Sequence, residues 1–70
     1  MKPKDYYKKV GQKIRQIRLD KGISQVDLAY ACDMEKQSLL KIEKEGVNLT
    51  LGTMLKLAKA LDVEIEDLLK

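Results

Sequence analysis

Apolar residues recur along this chain every three or four positions, in short runs separated by breaks. Val10, Ile14 and Ile17 fall at i, i+4 and i+7, the inward stripe of a first helix expected from Asp5, as N-cap, to about Lys21. Gly22 follows where a left-handed C′ stop suits glycine, and Ile23 turns the chain back to the core. Ser24 then caps a second helix to about Cys32, with Asp27 as the return arm of a capping box and Leu28, Ala29 and Cys32 inward. Asp33-Met34 breaks the pattern. A third helix starts after Glu35 and ends near Lys44, with only Leu39 and Ile42 inward and Glu43 beside them. Gly46 closes it, and Val47-Asn48-Leu49 forms a loop. Thr50 caps a fourth helix in which Leu51, Met54, Leu55, Ala58 and Leu61 form the inward stripe. Asp62 stands at its stop, and a fifth helix spans about Ile65 to Leu69. No strand signal appears, so the fold class is all-α, five helices in one domain (5–70) behind a flexible stretch (1–4).

Seventy residues make a single small domain whose core is marginal. With no histidine and one cysteine, neither a structural zinc site nor an internal disulfide can form, so no metal and no cofactor is expected. Cys32 reads as a small core residue rather than a redox group. No run approaches the ~20 apolar residues of a membrane span. The start, MKPKDYYKKV, lacks the apolar centre of a secretory signal, and a reducing cytoplasm is the expected compartment. Outside a secretory route, the sequon Asn48-Leu49-Thr50 is incidental. Tyr6 and Tyr7 are expected against a neighbouring helix, with a phosphate-facing hydroxyl as the alternative. The net charge is only +3, but it is unevenly placed. Residues 1 to 23 carry eight basic and two acidic side chains, whereas residues 62 to 70 carry four acids against Lys70. One end attracts polyanions and the other repels them.

The outer face of the third helix carries the chemistry. At 100° per residue, Gln37, Leu40, Lys41 and Lys44 lie opposite the core, flanked by Lys36 and Ser38. Glutamine bonds adenine bidentately, lysine donates to guanine O6 and N7, and an apolar group meets the thymine methyl. An ordinary solvated helix accounts for the lysines and the glutamine equally well, but not for Leu40. Ser38-Leu-Leu-Lys41 also matches the S-x-x-K pattern of some acyl-enzymes. That chemistry needs an oxyanion hole and a cleft in a much larger fold, so no enzyme is expected.

Five segments in order, G-x-x-I-R-x-I-R (Gly11 to Arg18), K-G-I-S-Q-x-D-L-A (Lys21 to Ala29), S-L-x-K-I-E (Ser38 to Glu43), L-x-T-M-L-K-L-A-K-A-L (Leu51 to Leu61) and V-x-I-x-D-L-L (Val63 to Leu69), resemble the lambda-repressor/Cro-like (Xre) helix-turn-helix family. The resemblance implies a compact five-helix lambda-repressor-like domain with its third helix in the major groove of double-stranded DNA. By it, Lys36, Gln37, Ser38 and Lys41 map to base-reading and groove-lining positions. Gln25 bonds a phosphate and braces the recognition helix, Lys44 and Asn48 lie at further phosphate contacts, and Arg18 and Glu43 form a partly buried ion pair. The chain departs from the family pattern at Asp33, where glycine is usual, at Glu35, where Ser or Thr is usual, and at Leu49, often proline. The implied role is a sequence-specific transcriptional regulator. A homodimer on an inverted repeat is expected, pairing through Val63 to Leu69. The same fold used as a protein-interaction or antitoxin-type module is the alternative.

Overall fold

A computed structural model describes residues 3–70 of the chain. Five helices run in order: α1 (Pro3–Asp20), α2 (Gln25–Ala31), α3 (Lys36–Glu45), α4 (Leu51–Leu61) and α5 (Ile65–Leu69). No strand occurs among the described residues. The chain is already helical two residues ahead of the expected Asp5 cap. Asp5 lies in the first turn of the described helix, where its charge suits the positive helix end. Of the stretch expected to be flexible, Pro3 and Lys4 are therefore helical, and residues 1 and 2 lie outside the described residues.

Three helices end with the same pair of hydrogen bonds. The Ile23 amide donates to the Arg18 carbonyl and Gly22 to Leu19, both at 3.0 Å. Met34 donates to Ala29 at 3.0 Å and Asp33 to Tyr30 at 3.1 Å; Val63 donates to Ala58 at 3.0 Å and Asp62 to Lys59 at 3.1 Å. Each is a Schellman closure, which needs a left-handed residue at C′. Gly22 takes φ 69°, Asp33 54° and Asp62 58°. Two aspartates thus hold a conformation that glycine adopts without a Cβ penalty. At the helix starts, Ser24 Oγ accepts from the Asp27 amide at 3.0 Å and Thr50 Oγ1 from Thr53 at 3.2 Å. Only one arm of the expected capping box at Ser24 forms. Asp67 makes the corresponding return bond at the head of α5, where its Oδ2 accepts from the Glu64 amide at 3.1 Å.

The core gathers Val10 and Ile14 of α1, Leu28 and Ala29 of α2 with Cys32, Leu39 and Ile42 of α3, Leu49 of the loop that follows, Leu57, Ala58 and Leu61 of α4, and Leu68 of α5. One expected stripe is corrected. Leu51 and Leu55 of α4 are 62% and 51% exposed, while Leu57, which the period had not marked, is fully buried. Apolar residues surround most of α4, so several faces could satisfy a helical period. Packing against α1, α2 and α5 selects the Leu57-Ala58-Leu61 face. α5 mostly closes this core: Leu68 is buried, Val63 and Ile65 pack partly against it, and Leu69 remains exposed.

α3 is mounted directly on α1. Gly11, buried in the middle of α1, lies against the Ile42 carbonyl, where a Cβ would collide with backbone. Gly46, at φ 71°, ends α3 against the Tyr7 carbonyl in the same way. Tyr6 and Tyr7 themselves are about two-fifths exposed, and the Tyr6 hydroxyl reaches the Leu69 carbonyl of α5 at 3.4 Å.

Candidate nucleic-acid interface

α3 divides into two faces as its sequence pattern requires. Leu39, Ile42 and Glu43 are buried; Lys36, Gln37, Ser38, Leu40, Lys41 and Lys44 are exposed. Leu40 leaves 40% of its surface in water, an apolar group amid amide and ammonium groups. Glu35 occupies the N-cap position without a side-chain capping bond, so the helix start is held by packing and by the backbone bond from Leu39 to the Glu35 carbonyl at 3.1 Å. Asn48 follows in the loop after α3 with φ 63°, exposed, its carbonyl accepting from the Thr50 amide at 2.9 Å.

Behind this face lies a closed polar network. Arg18 Nε donates to Glu43 Oε2 at 2.7 Å and Nη2 to Oε1 at 3.1 Å, with Arg18 5% and Glu43 2% exposed. Arg18 Nη1 donates to the Ile23 carbonyl at 2.9 Å, and Gln25 Nε2 to Glu43 Oε1 at 3.3 Å. Among the described residues no buried side-chain polar atom lacks a partner. A buried pair of this kind adds little net stability over an apolar substitute, but its fork geometry fixes angles. It ties α1 and the head of α2 to one carboxylate in the last turn of α3, and the loop before α2 to the same arginine. Gln25, expected to bond a phosphate and brace the recognition helix, spends an amide hydrogen on the brace and is half-buried.

The expected residues therefore fall into three places. Lys36, Gln37, Ser38, Leu40, Lys41 and Lys44 share one helix surface, Gln25 sits at its α2 edge, and Asn48 lies past its C-terminal end. Three α1 side chains that the sequence reading did not single out, Lys8, Gln12 and Arg15, line a groove shared with Gln25, Leu40 and Lys44. Their i, i+4, i+7 spacing is legible in the sequence, but the helix they face is not. Elsewhere, burial pushes the Cys32 thiol up, with Lys56 opposing, and its Sγ lies 3.6 Å from the Lys56 carbonyl, as a core residue would. Among the described residues no group of three or more metal-binding side chains comes together, and no helix is long and apolar enough to cross a membrane.

Residues 14–68 match the helix-turn-helix family. The control protein C.BamHI of Bacillus amyloliquefaciens is 45% identical over 60 residues, 84% of this chain and 74% of its own length. An uncharacterised helix-turn-helix transcriptional regulator of Rickettsia prowazekii is 40% identical over 57 residues, 81% of this chain; the match spans 44% of that regulator. The restriction-modification controller protein C.AhdI from Aeromonas hydrophila superposes with a TM-score of 0.83 at 37% identity, covering 89% of this chain and 94% of that one.

Proposed function

The chain belongs to the helix-turn-helix family of DNA-binding transcriptional regulators, and from that premise we propose how it reads its site. α3 enters the major groove. Gln37 and Lys41 bond base edges and Leu40 meets a thymine methyl, with Lys36 and Ser38 lining the groove. Lys44, Asn48 and the free part of the Gln25 amide hold phosphates, which sets register without reading sequence. Arg18 and Glu43 set the angle at which α3 is presented. The observation that carries this reading is the pairing of an exposed amide, ammonium and isobutyl face with a rear face locked by that ion pair.

The proposed working unit is a homodimer on an inverted repeat, because one small domain contacts too little DNA for strong specificity. Its pairing surface includes the exposed Leu51 and Leu55 of α4, one turn apart on a single face, rather than Val63 to Leu69 alone. Two relatives named as a control protein and a restriction-modification controller favour the control of such a gene system, by a cytoplasmic regulator without catalysis or cofactor. Selection of bound duplexes from a random pool, followed by binding across a salt series, tests the reading. Enrichment of a two-fold symmetric site with steep salt dependence is expected. A pool that stays random, or affinity indifferent to salt, would overturn it.

A further inference from the structure

We infer that the DNA-binding surface extends beyond the helix-turn-helix onto α1, where Lys8 and Arg15 bind the phosphate strand that borders the reading helix. This rests on the proposed placement of α3 in the major groove. The groove between α1 and α3 has Lys8, Gln12 and Arg15 on one wall and Leu40 and Lys44 on the other, with Gln25 at the head of α2 beside them. It is therefore continuous with the surface that α3 presents. The two helices can flank a single strand because Gly11 lets α1 approach the Ile42 backbone, and Lys8, Gln12 and Arg15 lie three before, one after and four after that glycine.

A helix with its side chains is about 10–12 Å across and the major groove about 12 Å wide, so a bordering strand must run immediately beside α3. On one side it meets this groove. The charge there suits a phosphate. Lys8, Arg15 and Lys44 contribute three cations, and Glu43 beneath them is already bonded to Arg18 and Gln25. Glu45, which lines the groove with Lys8 and Lys44, is the one exposed acid. Neither Lys8 nor Arg15 makes an ion pair with a described residue, so both are free to exchange water for a phosphate oxygen. The other edge of α1 makes a natural control: Lys9 and Lys13 carry the same charge but line a separate groove against Leu68 and Leu69 of the α5 side.

The test compares Lys8→Ala/Arg15→Ala with Lys9→Ala/Lys13→Ala, which remove the same charge from opposite edges of one helix. Thermal unfolding of both confirms that the fold stands, as alanine favours a helix. Binding to one selected duplex is then measured across a salt series. The first variant is expected to flatten the slope of log K against log salt by about 1.8 and to weaken binding about 10- to 100-fold near 0.1 M salt. The second is expected to lose less than about threefold, the share of the long-range field. Equal losses for both would assign the effect to net charge and overturn the inference. An unchanged first variant would overturn it too, while Lys44→Ala still flattening the slope would leave the proposed role of α3 intact. A parent protein that binds no duplex would remove both readings together.

Discussion

α3 and α4 differ by one residue in length and each keeps only a few side chains in the core, yet their outer faces are opposites. α3 buries Leu39, Ile42 and the carboxylate of Glu43, and shows water three lysines, a glutamine, a serine, one leucine and the terminal Glu45. α4 buries Leu57, Ala58 and Leu61, and shows water Leu51 and Leu55 among two lysines. A polar face costs little while unoccupied, so it suits a partner that comes and goes, such as a duplex whose phosphates displace water and counterions. An apolar face lowers its free energy only when covered, so it suits a partner that stays. The anchoring differs to match. α3 is held at a fixed angle by a directional ion pair and two glycine contacts, whereas α4 is held mainly by non-directional packing, with one thiol contact from Cys32 to the Lys56 carbonyl.

The largest effect expected from this contrast is at the ion pair. Arg18→Met leaves Glu43 buried with only Gln25 as partner, and should destabilise the fold by about 3–5 kcal/mol. Arg18→Met with Glu43→Leu should recover most of that, since two apolar groups need no partner, although the Ile23 carbonyl and the Gln25 amide then depend on water. Urea unfolding of the three proteins checks this. A neutral single variant would show that the pair contributes nothing that packing cannot supply.

On α4 the matching experiment is Leu51→Glu with Leu55→Glu. Both side chains are mostly exposed, so the monomer should unfold within about 0.5 kcal/mol of the parent. In the proposed homodimer, two carboxylates facing their symmetry mates should weaken self-association by more than tenfold and reduce occupancy of a symmetric site in units of two. Sedimentation equilibrium reads the first and gel-shift stoichiometry the second. An unchanged dimer would move the pairing surface elsewhere.

Smaller still are the effects within the reading face, where specificity separates from affinity. Gln37→Ala should cost about 1–3 kcal/mol on the preferred duplex and relax the choice at one base pair. Lys44→Ala should weaken all duplexes alike and reduce the salt slope by about 0.9. Competition between the selected site and random DNA distinguishes them. Identical losses on both duplexes for Gln37→Ala would leave that side chain without a reading role.

What the sequence made legible follows from how local each feature is. The outer face of α3 could be read by angle alone because its inner face is sparse and unambiguous. The closures at Gly22 and Asp62 were legible because each stands at the break after a helical period, where a left-handed stop is expected. The family resemblance implied both the Arg18–Glu43 pair and a bracing role for Gln25, but nothing in the sequence pointed to the Ile23 carbonyl as a further partner of Arg18. The exposed stripe of α4 was misassigned because seven apolar residues surround that helix and only tertiary packing chooses among them. Gly11 shows the same limit. In a helix interior it costs roughly 1 kcal/mol against alanine, and its reason, contact with the Ile42 carbonyl, exists only once α1 and α3 have met. The groove beside it, with Lys8 and Arg15, was hidden for that reason.

The smallest effects lie at the two aspartates that close α2 and α4, one beside each of the contrasted helices. Asp33 and Asp62 hold φ 54° and 58° in the same two-bond closure that glycine makes after α1. Glycine there removes a Cβ penalty of about 1 kcal/mol and adds an unfolded-state entropy cost of about half that. Asp33→Gly and Asp62→Gly should each therefore stabilise the domain by about 0.5 kcal/mol, seen as a higher urea midpoint at unchanged slope. Their effects on DNA should part. Asp33 lies in the turn that leads into α3, beside Met34 and Glu35, so losing its charge should strengthen binding to every duplex modestly, about two- to threefold. Asp62 lies at the far end of α4, and its loss should leave binding unchanged. Asp33→Asn supplies the separation of causes, because it removes the charge and keeps a side chain that tolerates the left-handed turn. If Asp33→Asn binds like the parent while Asp33→Gly binds more tightly, the gain comes from the backbone of the turn, and the acid beside α3 exerts no measurable repulsion on the phosphates.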